Sequence, residues 1–179
     1  MKVVEGMSPM MRHYMEVKEQ YPDCFLFYRL GDFYEMFFED AVEGSRIMEL
    51  TLTGRDCGLK ERAPMCGVPY HSVDTYVQKL ISKGYKVAIC EQMEDPALAK
   101  GLVQRSVTRV ITPGTVIEEK LLDAGKNNYL MSVYYTDSGI GYAYADVSTG
   151  IFFTGELSEN GGEDALLNEL GRIAPSECI

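Results

Sequence analysis

The sequence predicts a mixed α/β (α+β) domain, a central sheet with flanking helices, followed by a shorter antiparallel unit. In the first part of the chain, short apolar runs that fit buried strands alternate with stretches of helical spacing. After residue 128 the pattern changes to three strand-like runs that are joined by short turns. The predicted domains are therefore 1–115 and 127–179, with a polar linker at 116–126.

The first elements are a capped helix, an aromatic strand and a second helix. Ser8-Pro9 is typical of a helix start, and this helix is expected to end before Tyr21-Pro22. The run Cys24–Leu30 predicts a buried strand, which Gly31-Asp32 interrupts as a bulge or bend. Residues 37–50 have the apolar spacing of a helix.

The middle of the chain predicts four strands and one helix. Residues 51–53 can form a strand, and 56–63 are polar enough for a loop. Residues 64–70 hold too many Gly and Pro for a helix and are predicted to form a short edge strand. Ser72 can cap a helix that runs to Lys83 and that Gly84 ends. Residues 86–93 and 102–112 predict two further strands.

The last part of the chain predicts an antiparallel meander and a helix. Its strands are expected at 129–135, 141–147 and 150–155, a helix at 164–172 and the beginning of a strand at 175–179. Roughly 50 residues are few for an independent hydrophobic core. We therefore expect the chain to be a fragment of a longer protein.

Composition excludes several classes of protein. A hydrophobic fraction of 46% and a charged fraction of 25% are ordinary for a globular chain and exclude a disordered or collagen-like one. No apolar run approaches the roughly 18 residues of a membrane span. Five cysteines without a CxxC pair, and only two histidines, disfavour a structural zinc site or a disulfide framework and indicate a reducing cytoplasm. Cys24 and Cys90 are expected to pack as small hydrophobic residues.

The charge distribution points to the middle of the chain. The net charge of −10 by itself argues against a nucleic-acid partner. Residues 51–110, however, carry 9 basic and 6 acidic side chains, whereas residues 1–50 carry 5 and 10 and residues 111–179 carry 3 and 11. An anionic partner is therefore expected to bind the middle segment.

The most informative segment reads RLGDFYEMFFED, residues 29–40. In an extended backbone, Phe33 and Glu35 project from the same face while Tyr34 points into the core. An exposed aromatic ring can stack on or wedge between flat groups, and a neighbouring carboxylate can hydrogen-bond to an N–H edge. The alternative is an aromatic core residue beside a solvated glutamate.

Three blocks of sequence carry a resemblance to a known family. They read GDFYEMF (31–37), PMCGVPYHSVDTYVQKLISKGYKVAICEQMEDP (64–96) and VTRVITPGT (107–115). In this order, within about residues 8–120, they resemble the N-terminal mismatch-recognition domain of the MutS family of bacterial DNA mismatch-repair proteins. The strands after residue 126 resemble the start of the family's connector domain, whose fold is ribonuclease-H-like.

This resemblance implies a function and a site. It implies that Phe33 inserts from the minor groove and stacks on a mispaired base, and that Glu35 hydrogen-bonds to that base. The implied partner is double-stranded DNA with mismatches or small loops, bound by a full-length homodimer that works with other repair proteins in the cytoplasm, associated with the nucleoid. No membrane partner is expected. A GxxxxGK[ST] phosphate loop is absent from the sequence, so the family's ATP and Mg²⁺ are expected to bind outside this chain, which then has no cofactor and no catalytic residue of its own.

Affinity for DNA is expected to come from phosphate contacts, because a mismatch sensor must not read base sequence. Arg105 and Arg109 are four apart on a predicted strand, hence expected on one face. The candidate backbone contacts are Arg55, Lys60, Arg62, His71, Arg105 and Arg109.

A different class of function remains open at Asp146. A strand-borne Asp before a Ser/Thr-Gly turn resembles the start of the two-metal site of ribonuclease-H-like nucleases. The alternative function is therefore a metal-dependent nuclease fragment that uses acidic residues such as Asp146 and Asp32. A third possibility is a fragment that needs the rest of its protein to bind anything.

Overall fold

The computed structural model describes residues 5–95, 99, 101–123, 125–158 and 162–179. The chain folds into two compact units, a first that ends at Ile111 and a second that comprises Thr112–Ile179. The mixed α/β architecture predicted from the sequence is confirmed. Within the described residues, no helix is long and apolar enough to cross a membrane.

A six-stranded mixed sheet forms the centre of the first unit. Its strands are β1 (Cys24–Leu30), β2 (Phe33–Phe37), β3 (Thr53–Arg55), β4 (Ala63–Pro69), β5 (Lys86–Gln92) and β6 (Arg105–Ile111). Their spatial order is β3-β4-β2-β1-β5-β6. Only the β1–β5 pair is parallel. The hairpin of β1 and β2 therefore occupies the middle of the sheet.

Helix α1 (Pro9–Gln20) covers one face of this sheet. The Ser8 hydroxyl caps it by accepting a backbone N–H of the first turn at 3.4 Å, as predicted. Tyr14 is almost completely buried, and its ring lies edge-on to those of Tyr28 and Phe37, with centroids 5.4 and 4.9 Å away. Aromatic packing thus fixes α1 against the central hairpin.

Helices α2 (Phe38–Met48) and α3 (Val73–Ile81) pack on the opposite face. A Cβ atom on Gly44 would lie 3.4 Å from the ring of Phe25 and 3.6 Å from the sulfur of Met36. Because glycine has no such atom, α2 approaches the strands closely. Successive side chains of β2 point to opposite faces of the sheet. One face of the strand is covered by α2, and the other is covered in part by α1 and is otherwise open to solvent.

The boundaries of several predicted elements shift, among them those of α2, β3 and α3. Phe37 is the last residue of β2 rather than the first of α2, and Phe38, at φ +55°, turns the chain into the helix. The strand expected at 51–53 lies at Thr53–Arg55. Helix α3 begins after a short 3-10 turn, Tyr70–Ser72, and Ser72 donates to the Pro69 carbonyl at 3.2 Å instead of capping the helix.

The prediction of an edge position for the strand at 64–70 is wrong. β4 lies between β3 and β2, and β3 is the edge strand. Pro64 and Pro69 stand near the two ends of β4, so the N–H groups between them remain available for pairing. β4 consequently brings Gly67 directly opposite Glu35.

A buried ion pair, which the sequence pattern does not reveal, joins α1 to α2. The Asp40 carboxylate lies 2.9 Å from the Lys18 ammonium and accepts the Leu26 N–H at 2.9 Å. Burial raises the pKa of Asp40, although Lys18 and the Leu26 N–H oppose that shift. The pair ties both helices to β1, the strand that leads to the hairpin tip.

The second unit has a four-stranded sheet and one helix. Its elements are β7 (Tyr129–Thr136), β8 (Gly139–Asp146), β9 (Ile151–Ser158), α4 (Gly162–Ile173) and β10 (Glu177–Cys178). The sheet order is β10-β7-β8-β9, with β10 parallel to β7 and the other pairs antiparallel, so the predicted meander is confirmed. Its small core consists of Met131, Ile140, Leu166 and Ile173.

All five cysteines are free thiols, and Cys178 alone among them is exposed. Cys24 and Cys90 are buried among apolar residues, as predicted. Burial raises the pKa of the Cys66 thiol to about 12 and that of Cys90 to about 11. These thiols serve as packing groups rather than as nucleophiles.

Candidate nucleic-acid interface

Phe33 lies at the first position of β2, at the tip of the central hairpin. Its side chain is 47% exposed, whereas that of Tyr34 is 5% exposed on the opposite face. Its cross-strand neighbours are Leu30 on β1 and Pro69 on β4. The alternation predicted for this segment is therefore present, and Phe33 presents an apolar ring at the rim of the sheet.

The hairpin tip is a two-residue turn rather than a bulge or bend within a strand. Leu30 and Phe33 form the last pair of the ladder, so Gly31 and Asp32 alone connect the strands. Gly31 adopts φ +59°, a conformation that side chains disfavour. The Asp32 carbonyl accepts the Tyr70 N–H at 2.9 Å, which ties the turn to the end of β4. The backbone on both sides of Phe33 is thus held in place.

A stacked arginine supports the tip from the face opposite Phe33. The Arg29 guanidinium lies 4.0 Å from the ring centroid of Tyr70 and 5.3 Å from that of Tyr34. Arg29 also donates to the Gly31 carbonyl at 2.5 Å and lies 3.7 Å from the Glu91 carboxylate. The Tyr34 hydroxyl donates to Glu91, and burial together with this hydrogen bond raises the pKa of Tyr34 to about 12.

Sequence reasoning missed this support. Three members of this cluster are far apart in the chain: Arg29, Tyr70 and Glu91. Only the order of the strands brings them together at one end of the sheet. The sequence does show that β1 and β5 are both buried strands. Parallel pairing of these two strands places the end of β5 beside the end of β1, and thus Glu91 beside Arg29. The cluster lies on the face of the sheet opposite to Phe33 and holds the hairpin tip from that side.

Glu35 shares the face of Phe33 and forms an ion pair with Arg55. The Arg55 guanidinium donates to Oε2 of Glu35 at 2.5 Å. The Glu35 side chain is 13% exposed, and that of Arg55 is 38% exposed. Gly67 lies opposite Glu35, and a Cβ there would be 3.3 Å from Cγ of the glutamate. The absence of a side chain at Gly67 leaves room for Glu35 to lie beside β4, within reach of Arg55 on β3.

Apart from Arg55, which pairs with Glu35, the predicted backbone contacts fall into two groups. Lys60, Arg62, His71 and Arg109 are exposed. Arg105 is 9% exposed, and it donates to the carbonyl oxygens of Arg29 at 2.8 Å and Val103 at 2.7 Å. Its guanidinium also lies 5.1 Å from the ring centroid of Tyr28. The structure therefore uses Arg105 to hold the end of β1.

The prediction that Arg105 and Arg109 share a face is wrong. A bulge in the β5–β6 ladder makes Val107 pair with Cys90 and Arg109 with Ile89, which leaves Thr108 without an opposite residue. The inserted residue shifts the alternation by one position. Arg105 consequently lies on the side of α1, and Arg109 on the other.

Asp146 has a structural role in the turn after β8. Its carboxylate accepts the N–H groups of Asn128 (3.1 Å), Ser148 (3.0 Å) and Thr149 (3.3 Å) and the Ser148 hydroxyl (2.6 Å). Burial raises the pKa of this carboxyl, but the four hydrogen bonds outweigh it and hold the pKa below its ordinary value. Among the described residues, no group of three or more His, Cys, Asp or Glu could hold a metal ion. Nothing in this geometry supports the nuclease alternative.

Comparison with known proteins also divides the chain in two, although the first match extends beyond Ile111 into the second unit. Residues 8–120 match the family model described as MutS domain I, and residues 128–179 match MutS domain II. The chain is 59% identical over 174 residues to the DNA mismatch repair protein MutS of Acetivibrio thermocellus. The aligned region covers 97% of this chain and 20% of that protein.

Two further relatives carry the same name. The protein of Ruminiclostridium cellulolyticum is 59% identical over 172 residues, 96% of this chain and 20% of the relative. That of Alkaliphilus metalliredigens is 57% identical over 174 residues, 97% of this chain and 20% of the relative. The chain thus spans about a fifth of the length of these curated relatives. With both family models matched in order, the chain belongs to the MutS family, and its two matched segments correspond to domains I and II of that family.

Proposed function

We propose that this chain recognises mispaired or unpaired bases in duplex DNA, as the mismatch-sensing part of a full-length DNA mismatch repair protein. The name of its relatives supports this assignment. The observation that carries it is the exposed ring of Phe33 at a fixed hairpin tip, with the Glu35 carboxylate on the same face. In this proposal Phe33 is the wedge, and Glu35 hydrogen-bonds to the displaced base.

The physical basis is a difference in the cost of deforming DNA. An apolar wedge that enters a base step unstacks it at a cost of a few kcal/mol, and this cost is smaller where the base is already mispaired. Stacking of the base on an aromatic ring returns about 1–3 kcal/mol in either case. The net free energy therefore favours the mispair, and no base sequence has to be read.

Phosphate contacts supply affinity without adding discrimination. We assign this role to the exposed cations of the first unit, Lys60, Arg62 and Arg109, and to His71. Arg105 is excluded from this role because its guanidinium is held by backbone carbonyls within the protein. Arg55, which pairs with Glu35, is assigned a different role below.

In this proposal the chain is a binding module without chemistry of its own. ATP and Mg²⁺ bind other regions of the full-length protein, which acts as a homodimer with other repair proteins in the cytoplasm. Support for the division comes from the share of the relatives that the chain covers, 20%, and from the absence of a GxxxxGK[ST] phosphate loop in its sequence.

The proposal is tested by binding of the full-length parent protein to matched and single-mismatch duplexes over a range of salt concentrations. Phe33→Ala should remove most of the preference for the mismatch, because it deletes a stacking contact of about 1–3 kcal/mol. It should change the free energy of unfolding by about 1 kcal/mol or less, since Phe33 is about half exposed.

Two matched variants serve as controls. Phe152→Ala removes another exposed phenylalanine, in the second unit, and should leave the preference unchanged. Phe37→Ala removes a buried ring from the same strand and should cost about 3–5 kcal/mol of stability. A Phe33→Ala protein that unfolds like the Phe37 variant, or that keeps its mismatch preference, would show that Phe33 is merely packed.

A further inference from the structure

The ion pair between Glu35 and Arg55 joins two strands that are not neighbours in the sheet. Glu35 lies on β2 and Arg55 on β3, with β4 between them. Their side chains meet across β4, and Gly67, the β4 residue opposite Glu35, has no side chain on that face. Both partners are therefore held in position by the sheet and lie on the face that presents Phe33.

The two oxygens of the Glu35 carboxylate are in different situations. Oε2 accepts the hydrogen bond from Arg55. No hydrogen bond to Oε1 comes from any other residue that the structure describes. A guanidinium is only a donor, so it holds Oε2 as an acceptor and leaves Oε1 for another donor.

We propose that Arg55 is a positioning residue: it holds Oε2 of Glu35 so that Oε1 can accept a hydrogen bond from the N–H edge of a displaced base. This inference rests on the proposed function of Phe33 and Glu35. Arg55 then acts on specificity through Glu35 and does not hold a phosphate. It differs in this respect from Arg62, an exposed arginine a few residues further along the chain.

The two roles predict different effects on specificity. A lost phosphate contact weakens matched and mismatched complexes nearly equally and lowers the slope of log Kd against log salt by about one. A misplaced Glu35 carboxylate weakens the mismatched complex selectively, because only a displaced base reaches it. The ratio of the two dissociation constants therefore separates positioning from phosphate binding.

The experiment measures this ratio in the full-length parent for Arg55→Gln, Glu35→Gln and the double variant. Arg55→Gln should lower the mismatch-to-match ratio by about three- to tenfold, the value of one hydrogen bond, and should leave the salt slope unchanged. In the Glu35→Gln background, Arg55→Gln should have no further effect on the ratio, since there is no carboxylate left to position. Arg55→Lys, which keeps a cationic donor, should recover part of the ratio.

Arg62→Gln is the matched comparison. It should weaken both complexes, lower the salt slope and leave the ratio unchanged in either background. If Arg55→Gln behaves as Arg62→Gln does, Arg55 holds a phosphate and the inference is wrong. A ratio that falls equally with and without Glu35, or a Lys variant as poor as the Gln variant, would also overturn it.

A thermal melt followed by circular dichroism identifies variants that fail to fold. Should Arg55→Gln be unfolded, the Lys variant in the two Glu35 backgrounds still decides the question. Failure of this inference remains distinct from failure of the proposed function, because Phe33→Ala tests the wedge independently of either charged residue.

Discussion

Phe33 and Phe37 stand on the same face of β2, yet the first is 47% exposed and the second 1% exposed. The difference arises because α1 covers the strand near Phe37 and leaves its beginning uncovered. Glu35, between them, lies where the covered surface ends, and Arg55 pairs with one oxygen of its carboxylate. Three alternate residues of one strand thus serve as core anchor, charged group and exposed ring.

Replacing Glu35 is expected to increase binding to matched DNA. Glu35→Gln and Glu35→Ala remove a carboxylate that the phosphates of any duplex repel. Matched duplex should bind more tightly by about 1 kcal/mol, or roughly fivefold in Kd, and the mismatch-to-match ratio should narrow. Titration of labelled duplexes with the full-length parent protein checks this. Weaker binding to matched duplex, or an unchanged ratio, would leave Glu35 as an ordinary surface residue.

At the scale of elements, the β1–β2 hairpin and the turn after β8 show two ways of holding a short connection. The hairpin turn relies on a left-handed glycine, a backbone hydrogen bond to Tyr70 and the stacked Arg29. The turn after β8 relies on one buried carboxylate, Asp146, that collects four donors. The first arrangement positions an exposed ring, and the second closes a meander.

The hairpin turn is open to a specific test with glycine. Gly31→Ala places a side chain at φ +59° with no heavy atom within 4 Å of the new Cβ, so its cost is backbone strain of about 1–2 kcal/mol. Gly84→Ala, at φ +85° after α3, meets equally open space and is the matched control. Both variants should lose similar stability in chemical denaturation, but only Gly31→Ala should reduce the mismatch preference of the full-length parent. Equal mismatch preference in the two variants would contradict a positioning role for the turn.

The turn after β8 gives the chain a pH-dependent stability. The folded-state pKa of Asp146 is lowered, so its contribution is fully present above the ordinary value of 3.8 and is lost as the pH falls through the folded-state pKa. Asp146→Asn should therefore cost about 2 kcal/mol at pH 7 and clearly less at pH 3. Urea denaturation followed by circular dichroism measures both values. Asp137→Asn, in the exposed turn of the preceding hairpin, is the control, and an equal cost for Asp146→Asn at both pH values would contradict the assignment.

At the scale of the whole molecule, charge is divided between the two units. Residues 51–110, in the first unit, carry 9 basic and 6 acidic side chains, whereas residues 111–179 carry 3 and 11. A polyanion is attracted to residues 51–110, the one net-positive segment of the first unit, and is repelled by the second unit. This charge distribution is consistent with the proposed sensor, whose specificity would come from a local deformation of the DNA rather than from total charge.

The sequence predicts those features of this fold that depend on local pattern. The alternation of side chains in β2 predicts that Phe33 and Tyr34 point to opposite faces, and Ser8-Pro9 predicts where α1 begins. Both predictions follow from the geometry of a single element. The position of β4 was not predictable in this way, since prolines near strand ends are compatible with both an edge and an interior strand.

The charged residues of the site depended on relations between elements. The Glu35–Arg55 pair spans 20 positions and requires the order β3-β4-β2, which no local pattern contains. The burial of Arg105 depends on a bulge at Thr108, one residue within an otherwise regular strand. The family resemblance supplied the expected roles of Phe33 and Glu35. It did not predict the neighbouring residues Arg29 and Arg55, which the structure places at the hairpin tip and beside Glu35.

The fixed turn at Gly31-Asp32 has a consequence for how the protein samples DNA. Because Asp32, Tyr70 and Arg29 already immobilise the tip, the conformational entropy of ordering it is lost during folding and not at each encounter. In the proposed function of Phe33, such a rigid tip would deform the DNA rather than itself, and the resistance to its insertion would be the local bending stiffness of the duplex. A flexible tip would change its own conformation instead, and paired and mispaired steps would then resist it almost equally. The rigidity of the hairpin is therefore what would convert the lower stiffness of DNA at a mispair into tighter binding.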